Sequence, residues 1–262
     1  MNITAIRAEL DLAYTLTFSS MEKRDWGYLF SNPDNPTHYD ANHAQLSANP
    51  LNPQVVIEEV IAFYEQKGII PRFYLQNVEA LRDFIRLLQE AGFGYEEFEH
   101  AVQLWNGQVT EAAEDSRVSI EIVNDHNVHE ALEVECSIAE FGGREVREKA
   151  FWLEYHNPAF TYYLLRVEGQ PASTACLFRH GNHFRLENVA TLEAYRGQGL
   201  IGMLIQHIQR EVQKHEQCSF WIDPINERVE QVYSRYGFQT VGRLPMGHAF
   251  RGGKSIKEIQ QG

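Results

Sequence analysis

The chain has 262 residues, enough for two domains or one large one. Apolar residues make up 44% and charged residues 23%, so a core can form and wholesale disorder is excluded. A net charge of −13 is repelled by phosphate backbones and anionic lipid, which argues against nucleic acid and membrane surfaces and favours cationic partners such as amines.

Cys136, Cys176 and Cys218 are odd in number and far apart, so neither a disulfide framework nor a CxxC metal knuckle is expected. No window approaches the ~18 apolar residues of a membrane span. Glu9 and Asp11 precede any long apolar stretch, which is unlike a secretory signal. These features together point to a reducing, cytoplasmic setting.

In chain order, Phe18, Trp26, Tyr28 and Phe30 are candidate core or interface aromatics. The polar stretch 32–43 reads as a loop held by Asx turns, or as a lining for an acceptor site or a domain interface. The spacing predicts a helix over Pro53–Glu65, a strand over Ile69–Leu75 and a helix over Glu79–Glu90, followed by Gly92-Phe93. Tyr95–Trp105 is strand-like, and the acidic, polar run near 107–118 reads as a linker between domains 1–112 and 113–262.

Beyond it come an apolar run, Val118–Val123, and a helix over Asn127–Phe141 with Val128, Leu132 and Cys136 on one stripe. Phe160–Val167, Ala172–Arg179 and His183–Leu192 form an antiparallel meander joined by short Gly-containing turns. Gly199–Val212 predicts a helix with a broad apolar face, Cys218–Ile222 a short strand, and Asn226–Tyr236 a helix ended by Gly237. Phe238–Leu244 and His248–Phe250 close the sheet. The helix–strand–helix–Gly-Phe order recurs in the two halves, over 39 residues from Pro53 to Gly92 and 38 from Gly199 to Gly237, which indicates an internal repeat.

The sharpest local signal is Arg196-Gly197-Gln198-Gly199-Leu200-Ile201-Gly202, after a strand and opening a helix. Glycine lets the backbone turn tightly and approach a ligand, and a helix start offers unsatisfied N–H groups with positive dipole character, so the segment is an anion cradle suited to phosphate. It lacks the Lys-Ser/Thr of a nucleotide P-loop. It also follows an antiparallel meander rather than opening a β–α–β unit, so a Rossmann reading is set aside.

The stretch from Thr191 to Leu200, together with Asn226, Tyr233, Tyr236, Gly237 and Phe238, resembles the two signatures of the GCN5-related N-acetyltransferases over about residues 117–250. Ile201 stands where that family usually has a second Gly or Ala, with Gly202 one position later. The resemblance implies an α/β (α+β) acyl-CoA N-acyltransferase fold, with a mixed, mostly antiparallel sheet flanked by helices and, given the repeat, in tandem. It implies acetyl-CoA as cofactor. The pyrophosphate is expected on Arg196, Gly197, Gln198, Gly199, Leu200, Ile201 and Gly202. The pantetheine is expected along Val189, Ala190, Thr191 and Leu192, where this strand and the one at Cys218–Ile222 splay apart.

The resemblance makes Tyr233 the general acid or hydrogen-bond donor to the departing thiolate, beside its alternative as a core aromatic. Asn226 either contacts pantetheine or caps its helix. For the base, Glu187 is a candidate in the third strand and His183 a second, with a solvent-facing strand position and a turn position as their respective alternatives. Glu133 and Glu135 border the acceptor site or lie on an exposed helix face. His126 and His129 have no evident third ligand, so no metal is expected. Leu46–Pro53, which matches the glycine loop in the repeat, has no glycine and two prolines without N–H donors, so the first domain reads as a degenerate acetyltransferase that walls the acceptor cleft. The expected activity is N-acetylation of a small-molecule or peptide amine by a monomer or homodimer. The alternative is a non-catalytic acyl-CoA-binding or regulatory protein.

Overall fold

A computed structural model describes residues 3–111 and 114–260. In chain order the elements are α1 (Ile3–Thr15), β1 (Ser20–Arg24), β2 (Gly27–Ser31), β3 (His43–Leu46), α2 (Pro53–Glu65), β4 (Arg72–Gln76), α3 (Arg82–Glu90) and β5 (Gly94–Trp105). They continue with β6 (Val118–Ile122), α4 (Val128–Cys136), α5 (Arg144–Tyr155), β7 (Phe160–Val167), β8 (Gln170–His180), β9 (His183–Thr191) and α6 (Leu200–Val212). The last are β10 (Ser219–Ile222), α7 (Glu227–Ser234), β11 (Phe238–Phe250) and α8 (Ile256–Gln260). No helix among the described residues is long and apolar enough to cross a membrane.

Contacts divide the chain into a large unit, Met1–Tyr14 with Ala101–Arg243, and a small unit, Thr15–His100 with Leu244–Gly262. In the large unit the strand order is β5-β10-β9-β8-β7-β6, antiparallel except for the parallel β9–β10 pair. One face of this sheet is covered by Leu200, Leu204, Ile205 and Ile208 of α6 and by Tyr233 of α7, which pack with Leu165, Leu177, Leu186 and Phe220. The fourfold spacing of Leu200, Leu204 and Ile208 puts them on one helical stripe, which is why this helix docks with that face. The opposite face meets α4 and α5, where Phe151 lies 4.9 Å from Tyr162, ring centre to ring centre.

In the small unit, β1, β2 and β3 form an antiparallel meander, and β3 pairs in parallel with β4. Val56, Ile57, Val60 and Tyr64 of α2 and Phe84 and Leu88 of α3 bury against Phe73 and Leu75. The repeat is therefore longer than the sequence pattern indicates. Meander, helix, parallel strand, helix and closing strand recur as β1-β2-β3-α2-β4-α3-β5 and β7-β8-β9-α6-β10-α7-β11.

The closing strands explain why the compact units depart from a linear division. Within the large unit β10 pairs with Gln103 and Leu104 of β5, and within the small unit β4 pairs with Met246–Phe250 of β11. Each unit thus takes its last strand from the other half of the sequence. The expected boundary, 112/113, lies outside the described residues. Just before it, the run expected to be a linker is strapped to α6. Gln206 donates to the Glu111 carboxylate at 2.8 Å, Gln209 accepts from the Thr110 N–H at 3.2 Å, and Gln213 donates to the Gly107 carbonyl at 3.0 Å.

Other elements differ from expectation. The helix expected over 127–141 ends at Cys136, and a 3-10 turn at Ala139–Phe141 leads to Gly142 and Gly143, both with positive φ, before α5 begins. Phe238–Phe250 is one strand rather than two. The loop at 32–43 is held by Asx bonds: Asn32 Oδ1 accepts from the Asp34 and Asn35 N–H groups at 3.1 Å, and Asn42 Nδ2 donates to the Asn35 and His38 carbonyls at 2.9 Å.

Gly202 lies where α6 meets the end of α7. A Cβ there would sit 2.5 Å from Cζ and 2.7 Å from Cε1 of Tyr236. Gly202→Ala is therefore expected to displace Tyr236 and lower unfolding free energy by about 1–3 kcal/mol, read as a lower denaturant midpoint at unchanged m-value.

Candidate active site

The site is built around the middle of β9. Its ladder with β8 runs from His180↔His183 to Ser173↔Thr191 with one break: Cys176 faces Glu187 and Thr174 faces Ala190, so Asn188 and Val189 together face Ala175. That is a β-bulge, and Asn188 takes the left-handed conformation (φ +49°) that Asn tolerates better than other side chains. On the other edge, the parallel ladder with β10 covers only His183, Phe184 and Arg185. Trp221 and Ile222 of β10 turn their other edge to Leu104 and Gln103 of β5. The β9 edge from Leu186 to Thr191 has no strand partner on the β10 side among the described residues.

This edge leads into the glycine loop. Arg196 is extended, and Gly197 and Gly199 have φ of +77° and +78°. A Cβ at either glycine would meet nothing within 4 Å, so their surface is open to a ligand. Gly199 is the N-cap of α6; no side chain caps this helix and its first turn has no acidic residue, so nothing there competes with an anion for the leading N–H groups. The Arg196 and Gln198 side chains fold back onto the Thr191 and Ala194 carbonyls, both at 3.2 Å. Ile201 packs against the core, and the Gly202 N–H is taken by the Gly199 carbonyl at 3.0 Å. The cradle is therefore the N–H groups ahead of Gly202.

The α5-facing side of β9 carries charge. Arg185 bonds to Glu187, lies 2.6 Å from Asp11 Oδ1 and stacks over the Tyr14 ring at 4.7 Å. Arg7 bonds to Asp11 and lies 2.8 Å from Asp223 Oδ2. The Glu187 side chain is 17% exposed, and burial pushes its carboxyl up to about 7, with Asp223 and Glu154 adding to the rise and Arg185 opposing it. Burial, then the Glu187 charge, hold the Tyr233 hydroxyl well above the usual phenol range.

Deeper, Glu154 is fully buried and receives Arg147, the Tyr162 hydroxyl and, at 2.9 Å, the Asn188 side-chain amide. Arg147 Nε also lies 2.8 Å from Glu135 Oε2, without the alignment of a hydrogen bond. Glu135 is fully buried, and burial pushes it up to about 8. This corrects both expectations for Glu135, since it neither borders open space nor lies on an exposed face. Glu133 is exposed and pairs with Arg144.

Of the expected site residues, the fold brings Glu187 and Tyr233 within electrostatic reach of each other, beside Val189, Ala190 and Thr191 on the open edge, with Leu192 leading into the loop. His183 is not among them. It lies four residues from Glu187, about 13 Å along the strand, with Nδ1 2.6 Å from Ser219 Oγ. Asn226 caps α7, its Oδ1 accepting from the Val229 N–H at 2.9 Å. Sequence reasoning missed Asn188, Arg185, Asp11, Asp223, Arg147 and Glu154. An Asn inside an apolar strand, where Asn is disfavoured, was the available signal for the bulge.

Residues 127–238 match the sequence model of the acetyltransferase (GNAT) family. The chain has the GNAT fold. A GCN5-related N-acetyltransferase from Kribbella flavida superposes with a TM-score of 0.69 at 18% identity, covering 98% of this chain and 99% of that one. A conserved protein of unknown function from Staphylococcus epidermidis also gives 0.69, at 14% identity over 89% of this chain and 94% of its own. A tandem GNAT protein from the clavulanic acid biosynthesis pathway gives 0.59, at 13% identity over 94% and 89%. No curated protein sequence matches the chain. The parallel β9–β10 pair, the bulge and the glycine loop before α6 all lie within the part of the GNAT fold that the family model covers.

The raised Glu135 value has a consequence for stability. A carboxyl raised in the folded state favours folding while protonated. Its contribution is fully present below the ordinary carboxylate range and is lost as pH rises toward about 8. Glu135→Gln, which cannot ionise, is expected to gain thermal midpoint over the native protein progressively from pH 5 to pH 8, measured by calorimetric melts across that range.

Proposed function

We propose that the protein is an acetyl-CoA-dependent N-acetyltransferase, that the large unit performs the transfer, and that the acceptor is an amine on a small molecule or peptide. The observation that carries this reading is the junction of β9 and α6. An unpaired strand edge runs into a glycine loop with open surface and an uncapped helix start, and a carboxyl with a value near 7 lies beside it. The residues present suit acetyl-CoA. Backbone N–H groups from Gly197 to Ile201 would hold the pyrophosphate, and the edge from Val189 to Leu192 would pair with the pantetheine amides as an added strand.

When bound, acetyl-CoA supplies the acetyl group as a thioester. An alkylamine of pKa about 10 is neutral in roughly one part in a thousand at pH 7, a cost of about 4 kcal/mol that a base offsets. Glu187 takes that proton, and a value near the working pH suits it to do so. Tyr233, kept protonated, holds its hydroxyl proton for the departing sulfur. His183 has no part in this mechanism, and Asn226 serves by starting α7. The net charge of −13 favours a cationic acceptor in a cytoplasmic setting.

The small unit is read as a degenerate copy. Its matching loop, 46–53, has no glycine, Pro53 occupies the first turn of α2, and the β3–β4 ladder continues to Leu46, the last residue of β3. It therefore has neither a cradle nor an open strand edge.

Calorimetric titration with acetyl-CoA is expected to give one site per chain, with affinity falling more than tenfold in Gly199→Trp. Two sites would overturn the degenerate reading, and no binding would overturn the acetyltransferase reading. Binding without turnover against an amine panel would leave an acyl-CoA-binding protein.

With a working acceptor, kcat/KM is expected to rise with pH through about 7 as Glu187 loses its proton. Glu187→Gln should remove that limb and lower the rate about 10²–10⁴-fold. An unchanged profile in the variant would exclude Glu187 as the base.

A further inference from the structure

We propose that Glu154 is a positioning residue: through Asn188 it holds the extra residue of β9 and thereby sets the strand edge that leads to the glycine loop. The consequence for catalysis rests on the proposed function; the structural claim does not.

The extra residue changes which way each side chain points. Leu186 belongs to the core on the α6 side, and strict alternation would then place Asn188 there too and Val189 on the α5 side. Instead Val189 packs against the α6-side core, while the Asn188 amide reaches Glu154 at 2.9 Å and the Tyr162 hydroxyl at 3.3 Å on the α5 side. Glu187 and Asn188 thus face the same side in succession. Without the extra residue, the edge from Val189 to Thr191 would be turned over, with Val189 against a buried carboxylate, and the loop would start from the wrong face.

What holds Asn188 is a charged group with no freedom of its own. Glu154 is fully buried on α5 and is fixed by Arg147 and Tyr162, and the Arg147 guanidinium is itself buried. A buried carboxylate needs its donors, so the tie acts in both directions. The left-handed backbone alone would not select the α5 side; a glycine could adopt it with nothing to reach for.

Amide hydrogen exchange tests the tie with no ligand present, and calorimetry with acetyl-CoA tests its consequence. Asn188→Gly and Asn188→Ala are expected to speed exchange across Val189–Leu192 at least tenfold, with the β7–β8 ladder at Thr161–Leu165 unchanged as a control for folding. Asn188→Asp should loosen the segment further by setting two carboxylates together. Adding Glu154→Gln to Asn188→Asp, which exchanges donor and acceptor, should slow exchange again. Acetyl-CoA affinity should fall at least fivefold in each loosened variant and recover with the exchanged pair.

Native-like exchange in Asn188→Gly, or no recovery in the exchanged pair, would overturn the tie. Loosened exchange with unchanged acetyl-CoA affinity would overturn its role in setting the edge. A native protein that binds no acetyl-CoA would overturn the proposed function and the edge's role, leaving the exchange experiment to decide the tie.

Discussion

Strand β9 is paired with β8 from His183 to Thr191 apart from the bulge, but with its parallel neighbour β10 over only three residues, and this early end of one ladder is the constraint on which the site depends. A strand edge in a sheet interior carries backbone donors and acceptors that need partners, and leaving them unmade is costly. Where β9 leaves β10, those groups have no strand beside them among the described residues. The small unit shows the alternative with the same connectivity. There the β3–β4 ladder reaches Leu46, so β3 has no such groups to offer at its end. The difference between the two copies is a matter of where a parallel ladder stops.

Much of the frame was legible because it is written locally. Phe160–Val167 is bounded by a Glu-Gly-Gln turn and dense in aromatic and branched residues, and it is β7 to the residue. The fourfold spacing from Leu200 to Val212 marks α6, and Gly197 and Gly199 take the positive φ expected of a glycine loop. Gly202 belongs to the same string for a different reason: Tyr236, thirty-four residues away, occupies the space its side chain would need. The string is one motif in sequence but serves two purposes in space, ligand approach at its start and helix packing at its end.

The charged half of the site was hidden for the opposite reason. Arg147 and Glu154 lie in α5, a helix rich in charged residues, and Arg7 and Asp11 lie in α1; neither helix is predicted from the sequence. Glu154 is stable away from water only because of its donors, among them Tyr162 and the more distant Asn188, and the half-buried Asp11 is paired with Arg185, far along the chain. A pattern of apolar residues locates a core, but it carries no information about which charges a fold will pair inside it. The closing strands were illegible as a boundary for a related reason. β5 read as a strand and β11 as two strand segments, while their partners, β10 and β4, are set by pairing between sequence halves.

The bulge joins the geometric and electrostatic sides of the site. Because Asn188 is an extra residue, it faces the same side as Glu187, and its amide is held by the carboxylate of Glu154. That carboxylate is also one of the charges that raise Glu187, against the lowering effect of Arg185. If Arg185 dominated, Glu187 would be fixed as a carboxylate with little affinity for a proton. If burial and like charge acted unopposed, it would remain protonated at neutral pH. The value near 7 is set mainly by burial against Arg185, with Asp223 and, more weakly, Glu154 adding to the rise, and Glu154 keeps its place through the donors that include Asn188. The buried group that holds the strand edge is thus also one of the lesser charges acting on the carboxyl beside it.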